Sequence, residues 1–304
     1  MNYCQLFMIK CFVVTSLFAI SFSGNAQMSE REVFNISSDY DLLIKKIEMQ
    51  TLHAEMSEFD LFLSHINKVR EEQSIKVNLP PALREDLLPE EIYQLRSPGV
   101  LMVGSFYDCG KCDKMHTAIN ATAAILTEEG ICITNHHVFK STGLGAIADT
   151  SVLKKHMYIS DIDGNIFPIQ EILTFSETGD VAIFKIDPKG IKLRPIPFGE
   201  DAMVASTVHA ISHPKGKELY YYSKGTVARI TSEADDPLMD RMYVSCEYAV
   251  GSSGGPILDN KGNLVGIVST TRPLYTSARE PMHLQMILRG IVPVKTIKAL
   301  FNKS

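Results

Sequence analysis

Tyr248-Ala249-Val250-Gly251-Ser252-Ser253-Gly254-Gly255-Pro256-Ile257-Leu258 sets a serine pair among glycines and a proline, just ahead of an apolar run. A serine hydroxyl is a poor nucleophile until a base takes its proton, and the carbonyl it attacks needs backbone N–H donors for the oxyanion that forms. Glycines let the chain bend enough to supply them. The pattern suits acyl transfer through a serine.

A base and an orienting acid must then lie elsewhere, and two upstream blocks carry them. Gly130-Ile131-Cys132-Ile133-Thr134-Asn135-His136-His137-Val138-Phe139 reads as an apolar strand ending in a histidine pair, and Gly179-Asp180-Val181-Ala182-Ile183-Phe184-Lys185-Ile186 as a strand opened by an aspartate. Taken singly, each block has a plainer reading: a flexible turn, a surface or metal-binding histidine pair, a strand-capping carboxylate. Together they stand in the chain order His, Asp, Ser, one of several convergent orders for a serine triad.

Thr-Asn-His-His-Val, Gly-Asp-Val-Ala-Ile and Gly-Ser-Ser-Gly-Gly-Pro resemble the three catalytic blocks of trypsin-like serine endopeptidases, most closely the bacterial Deg/HtrA-like and glutamyl-endopeptidase-like branches. Ile211 to Gly216 with Lys224 to Ile230, and Gly290 to Val294 leading into Lys295 to Phe301, resemble further parts of the Deg branch. The resemblance runs from about residue 99 to the end. It implies that Ser253 attacks the scissile carbonyl, His137 shuttles the proton and Asp180 holds the imidazole, with Gly251 and Ser253 donating backbone N–H. His137 is preferred to His136 because the family pattern counts from Thr134 and neighbouring strand residues face opposite ways.

The elements expected to position these residues follow from the same resemblance: an all-β fold of two packed six-stranded antiparallel barrels, with a helical N-terminal extension and a short C-terminal helix. The expected boundaries are a signal peptide over 1–26, the extension over 27–98 and a protease domain over 99–304. Within the last, the first barrel takes about 99–190, the second about 191–290 and the closing helix 294–302. No PDZ-like extension is expected. The resemblance places a specificity pocket against Glu247 to Val250 and against Val268 to Thr271, making Glu247, Val250, Ser269 and Thr270 candidate substrate contacts. An acid at Glu247 would favour Lys or Arg before the scissile bond, whereas a solvated strand residue there would say nothing of specificity. Ser252 stands where animal trypsins carry an aspartate that pairs with a freed N-terminus, so maturation is expected not to need one.

The composition fits a packed enzyme, with 45% apolar and 21% charged residues. Acidic residues outnumber basic ones, 35 to 30, which argues against nucleic acid as a main partner. Lys10, the apolar run from Cys11 to Phe22 and Ser23-Gly24-Asn25-Ala26 read as a secretory signal cut after Ala26. That run is short for a bilayer-spanning anchor. A periplasmic or secreted protein acting on polypeptides, without metal or cofactor, is expected.

Residues 29–76 carry apolar positions near helical spacing and are read as one or two amphipathic helices. Their role is open between a brace, a removable propeptide and an oligomerisation element. Cys109-Gly110-Lys111-Cys112 with His116 admits a redox pair, part of a zinc site or a turn-pinning disulfide, with structural disulfide or free thiols favoured. Cys132 reads as a small core residue. Two rival functions remain: a catalytically dead barrel that binds peptides, and a thiol or metal protein centred on the Cys-x-x-Cys.

Overall fold

The computed structural model of the protein describes residues 38–53, 69–108, 112, 115–140, 155–233, 235–277 and 282–301. The expected signal segment and Cys109 lie outside them.

The first half of the chain forms one antiparallel sheet from β1 (Val100–Asp108), β2 (Met115–Ile125), β3 (Ile131–Thr134), β4 (Lys155–Ser160), β5 (Ile166–Phe167), β6 (Ile169–Ser176) and β7 (Val181–Ile186). Their order is β5-β4-β1-β2-β3-β7-β6. This is seven strands where six were expected, because the turn after β4 returns as the two-residue β5. The second half, β8 (Thr207–Ser212), β9 (Tyr221–Glu233), β10 (Asp236–Val244), β11 (Pro256–Leu258), β12 (Leu264–Tyr275) and β13 (Leu284–Pro293), closes into a barrel in the order β10-β13-β12-β11-β8-β9. The architecture is chymotrypsin-like.

Side chains alternate between the faces of a strand, so a strand buried on both faces reads as a continuous apolar run. Val100 to Val103 is such a run: Val100 and Met102 join a central cluster with Ile133, Val181, Ile211, Ile267 and Val292, while Leu101 and Val103 join Phe139, Phe167 and Phe184 inside the first sheet. The central cluster thus draws on both sheets. A third cluster, including Val208, Val244, Ile257 and Val268, fills the barrel. Each fully buried aliphatic of this size contributes about 1.5–3 kcal/mol.

Before β1, the described residues are only partly helical. α1 (Ser38–His53) carries Asp39 and Asp41 in its first turn, where negative charge suits the helix dipole. It buries Ile47 against Phe106, Tyr158 and Ile166. Gln50 ties it to the β4–β5 turn, donating to the Gly164 carbonyl at 2.6 Å and accepting from Ile166 N–H at 3.2 Å. Residues 69–76, read as the end of a helical stretch, are instead extended and make single parallel bridges to the body at Glu71–Phe175 and Ile75–Phe301, and residues 77–88 carry on without a helix. The segment continues across the barrel, where Leu83 exchanges hydrogen bonds with the Asn263 amide at 2.7 and 3.0 Å. α2 (Pro89–Arg96) opens with a proline at its first position and a Glu91 carboxylate that accepts from Leu88 N–H at 2.7 Å. The final helix is short: α4 (Val294–Lys298) ends before the expected residue 302, its last carbonyls meeting Ala299 N–H. A further helical turn, α3 (His136–Lys140), belongs to the site.

Candidate active site

β3 pairs with β7, Thr134 opposite Ala182. That register sets the residues just past the end of β3 beside those just before β7, which are the histidine pair and Asp180. The pair does not continue the strand. It begins a single helical turn, α3 (His136–Lys140), whose start is fixed by Val138 N–H donating to the Asn135 carbonyl at 3.3 Å. The Asn135 side chain reaches across and donates to the Asp180 carbonyl at 2.9 Å. His136 is buried and stacks on Phe175 with centroids 5.1 Å apart, whereas His137 projects to the surface.

His137 Nδ1 lies 3.0 Å from each Asp180 carboxylate oxygen, and His137 N–H also donates to Oδ1 at 3.1 Å. An ionised carboxylate can only accept, so the proton sits on Nδ1 and Nε2 presents a lone pair. Nε2 is 2.9 Å from Ser253 Oγ. On the other side, the Ser269 hydroxyl donates to Asp180 Oδ2 at 2.5 Å. Burial on its own would raise the Asp180 carboxyl; the hydrogen bond and charge of His137, then Ser269, outweigh it and hold the group below its ordinary value. Asp180 itself takes a left-handed backbone conformation, φ 53°, of a kind that persists only where its surroundings fix it.

Ser253 sits in a turn whose carbonyls are each occupied. Val250 C=O accepts from Lys215 N–H at 2.5 Å, Gly251 C=O from Thr122 Oγ1 at 2.9 Å, Ser252 C=O from Gly255 N–H at 2.9 Å and Ser253 C=O from Thr122 N–H at 2.9 Å. Each peptide is planar and trans, so holding the Val250 carbonyl aims Gly251 N–H the opposite way, and holding that of Ser252 does the same for Ser253 N–H. Among the described residues no backbone carbonyl accepts from either N–H. Gly251 has φ 97° and a side chain there would meet the His213 carbonyl at 2.5 Å, so only glycine fits. Ser252 is fully buried, and its hydroxyl accepts from Ser212 Oγ at 2.9 Å. A neutral hydroxyl pair therefore fills the position just before Ser253.

The four candidate substrate contacts are scattered in role. Val250 is 70% exposed beside Ser253. Ser269 turns its hydroxyl onto Asp180 instead of into a pocket. The Thr270 carbonyl accepts from Tyr248 OH at 3.3 Å. Glu247 is an ion-pair partner of Arg289, whose guanidinium also lies 5.8 Å over the Tyr248 ring. An unpaired acid at a pocket base, the arrangement that would select Lys or Arg, is not what Glu247 presents.

Thr122, Asn135 and Ser212 escaped sequence reading, and Ser269, expected as a substrate contact, is instead a partner of Asp180. They are small hydroxyl or amide residues in ordinary strand and loop contexts, and only their bonds to Asp180, Gly251 and Ser252, 40 or more residues away in sequence, mark them. Cys112 Sγ is 3.1 Å from His116 Nε2, while its expected companion Cys109 lies outside the described residues. Cys132 and Cys246 are buried, and burial pushes the Cys246 thiol up to about 12, so neither offers a thiolate at neutral pH. Among the described residues no cluster of three His, Cys, Asp or Glu side chains could hold a metal.

Residues 121–267 match a family model described as a trypsin-like peptidase domain. The chain is 26% identical over 203 residues to Protease Do-like 1, chloroplastic, of Arabidopsis thaliana, covering 63% of this chain and 43% of that protein. It is 29% identical over 195 residues to a probable periplasmic serine endoprotease DegP-like of Pseudomonas savastanoi pv. phaseolicola, covering 63% of this chain and 36% of that one. Less than half of either relative's own length is therefore spanned. Among solved structures, the HtrA-type protease AlgW with decapeptide superposes with a TM-score of 0.54 at 18% identity, over 70% of this chain and 66% of that one. Deg5 superposes with a TM-score of 0.50 at 20% identity, over 70% and 94%.

Proposed function

From a chain that carries a trypsin-like peptidase domain related to the Deg/HtrA serine proteases, we propose that the protein is an exported serine endopeptidase working through His137, Asp180 and Ser253. The observation that carries the reading is the unbroken hydrogen-bonded line from Asp180 through both nitrogens of His137 to Ser253 Oγ, at 3.0 and 2.9 Å.

In the first half-reaction Ser253 Oγ bonds to the scissile carbonyl carbon as its proton passes to His137 Nε2, and the carbonyl π electrons move onto oxygen. The N–H groups of Gly251 and Ser253 receive that oxyanion. Asp180 stays ionised and stabilises the imidazolium without taking its proton. Collapse of the tetrahedral species breaks the C–N bond, and the imidazolium gives its proton to the leaving amine. Water then repeats the sequence on the acyl-enzyme, with His137 as base, and frees Ser253.

Cleavage of an unfolded protein substrate tests the reading. Ser253→Ala abolishes hydrolysis with folding intact, and Asp180→Asn lowers turnover by about four orders of magnitude, the effect the triad template carries. Undiminished cleavage by Ser253→Ala sinks it. Export rests on the signal-like residues 1–26, and N-terminal sequencing of protein recovered from an expressing bacterium is expected to start at Gln27; a retained Met1 overturns export.

A further inference from the structure

We propose that Glu72, in the extended segment that precedes the peptidase domain, is a positioning residue for Asp180; this rests on the reading of Asp180 as the group that orients His137. The segment does not attach to the sheet at an arbitrary place. Bonds from Glu71 and Glu72 land on the end of β6 and the start of the short turn after it that carries Asp180: Glu72 N–H donates to the Phe175 carbonyl at 2.7 Å, the Ser176 hydroxyl donates to Glu72 Oε1 at 2.9 Å, and Glu177 N–H donates to Glu71 Oε1 at 2.8 Å.

The Ser176 hydroxyl is the link. It is fully buried and has one proton to give. The Glu72 carboxylate takes that proton and so leaves the oxygen lone pairs aimed at Gly179 N–H, which donates to Ser176 Oγ at 2.9 Å. The next residue is Asp180, whose own N–H closes the turn on the Glu177 carbonyl at 3.2 Å. The chain of bonds therefore runs Glu72, Ser176, Gly179, Asp180, and it ends at a residue held in the left-handed region. Glu72 is itself left-handed, φ 56°. Both ends of this chain of bonds are thus non-glycine residues in a conformation that persists where the surroundings fix it. Arg241 also ties the turn, its Nη2 donating to the Thr178 carbonyl at 2.7 Å.

The segment lies outside residues 121–267, the stretch that matches the peptidase domain. Anything that lifts residues 69–76 off the body loosens Asp180 without touching His137 or Ser253.

The test uses the full chain. Wild-type protein is first shown to hydrolyse a peptide substrate and to label at Ser253 with a fluorophosphonate; failure of both ends the hydrolase reading and this inference with it. Given an active wild type, Glu72→Ala lowers kcat about tenfold, the size of one charge-assisted hydrogen bond, with KM within about twofold. Glu72→Gln keeps an oxygen that accepts from Ser176 and restores most of kcat. Should Glu72→Ala not fold, Ser176→Ala carries the same test, since it removes the link while leaving the Glu72 N–H and Glu71 attachments in place, and a similar kcat loss is expected. An unchanged kcat in the folded alanine variant, a glutamine variant as impaired as the alanine one, or a loss that matches the unfolded fraction seen by near-UV circular dichroism overturns the inference while leaving the hydrolase reading intact.

Discussion

The Ser269 hydroxyl donates to Asp180 Oδ2 at 2.5 Å, on the side of the carboxylate away from the His137 backbone N–H, so the group that holds the imidazole is itself held from the second barrel. Removing that hydroxyl takes away one of the contacts that keep the Asp180 carboxyl low. Ser269→Ala is expected to fold, to lower kcat by roughly three- to thirtyfold, the range for one hydrogen bond to a charged group, and to leave KM nearly unchanged. The acid limb of its pH–rate profile moves to higher pH. A profile superimposable on the wild type contradicts the role.

Thr122 joins the first sheet to the nucleophile turn from both its backbone and its side chain. Its hydroxyl donates to the Gly251 carbonyl at 2.9 Å and accepts from His213 N–H at 3.2 Å. Thr122→Val keeps the shape and loses both bonds, leaving buried polar groups unpaired at a cost of about 1–3 kcal/mol each. Steady-state kinetics are expected to give a lowered kcat for valine and near wild-type values for Thr122→Ser. Equal loss in both variants contradicts a hydrogen-bonding role.

Glu247 and Arg289 neutralise each other beside the active site. The wild type is therefore expected to show no preference for Lys or Arg at the residue before the scissile bond. Arg289→Gln exposes the Glu247 charge, and a peptide-library digest of that variant is expected to gain basic residues at this position relative to the wild type. A wild type that already cleaves chiefly after Lys and Arg contradicts this view of the pair.

His213 is fully buried behind the nucleophile turn, and its Nδ1 accepts from Tyr220 N–H at 3.0 Å. Burial pushes its imidazole down to about 3. Since the folded pKa is depressed, the unfolded chain binds the extra proton first as the pH drops. The stability is complete above the ordinary value near pH 6.5 and is lost progressively as the pH falls toward 3. About 2 kcal/mol is expected to go by pH 5, taking about 1.4 kcal/mol per pH unit below about 6.5. His209, also lowered chiefly by burial, acts in the same direction. Urea unfolding at pH 7 and pH 5 measures the difference, and equal midpoints contradict it.

What the sequence disclosed and what it withheld divide by distance along the chain. The nucleophile block is legible because its glycines must be adjacent to Ser253 to shape the turn, and the continuous apolar runs of β1 and β7 are legible because both faces are buried. The histidine pair was read as the end of a strand. Strand pairing stops at Thr134 opposite Ala182, and the next residues turn helical, which no local pattern signals. Residues 69–76 fall in the stretch read as helical, yet their bonds are to partners about 100 or more residues away, such as Glu72 with Ser176, so tertiary contacts override local propensity there. The Arg289 partner of Glu247 is hidden for the same reason, being 42 residues further on across a barrel seam.

The claim on which the rest depends is that the Ser253 hydroxyl is activated by His137. Incubation with a fluorophosphonate followed by peptide mapping reads it without a known substrate. A single adduct on the peptide containing Ser253, absent from His137→Ala, is the predicted result. No adduct on folded wild-type protein, or an adduct on Ser252 or elsewhere that survives the loss of His137, contradicts the account.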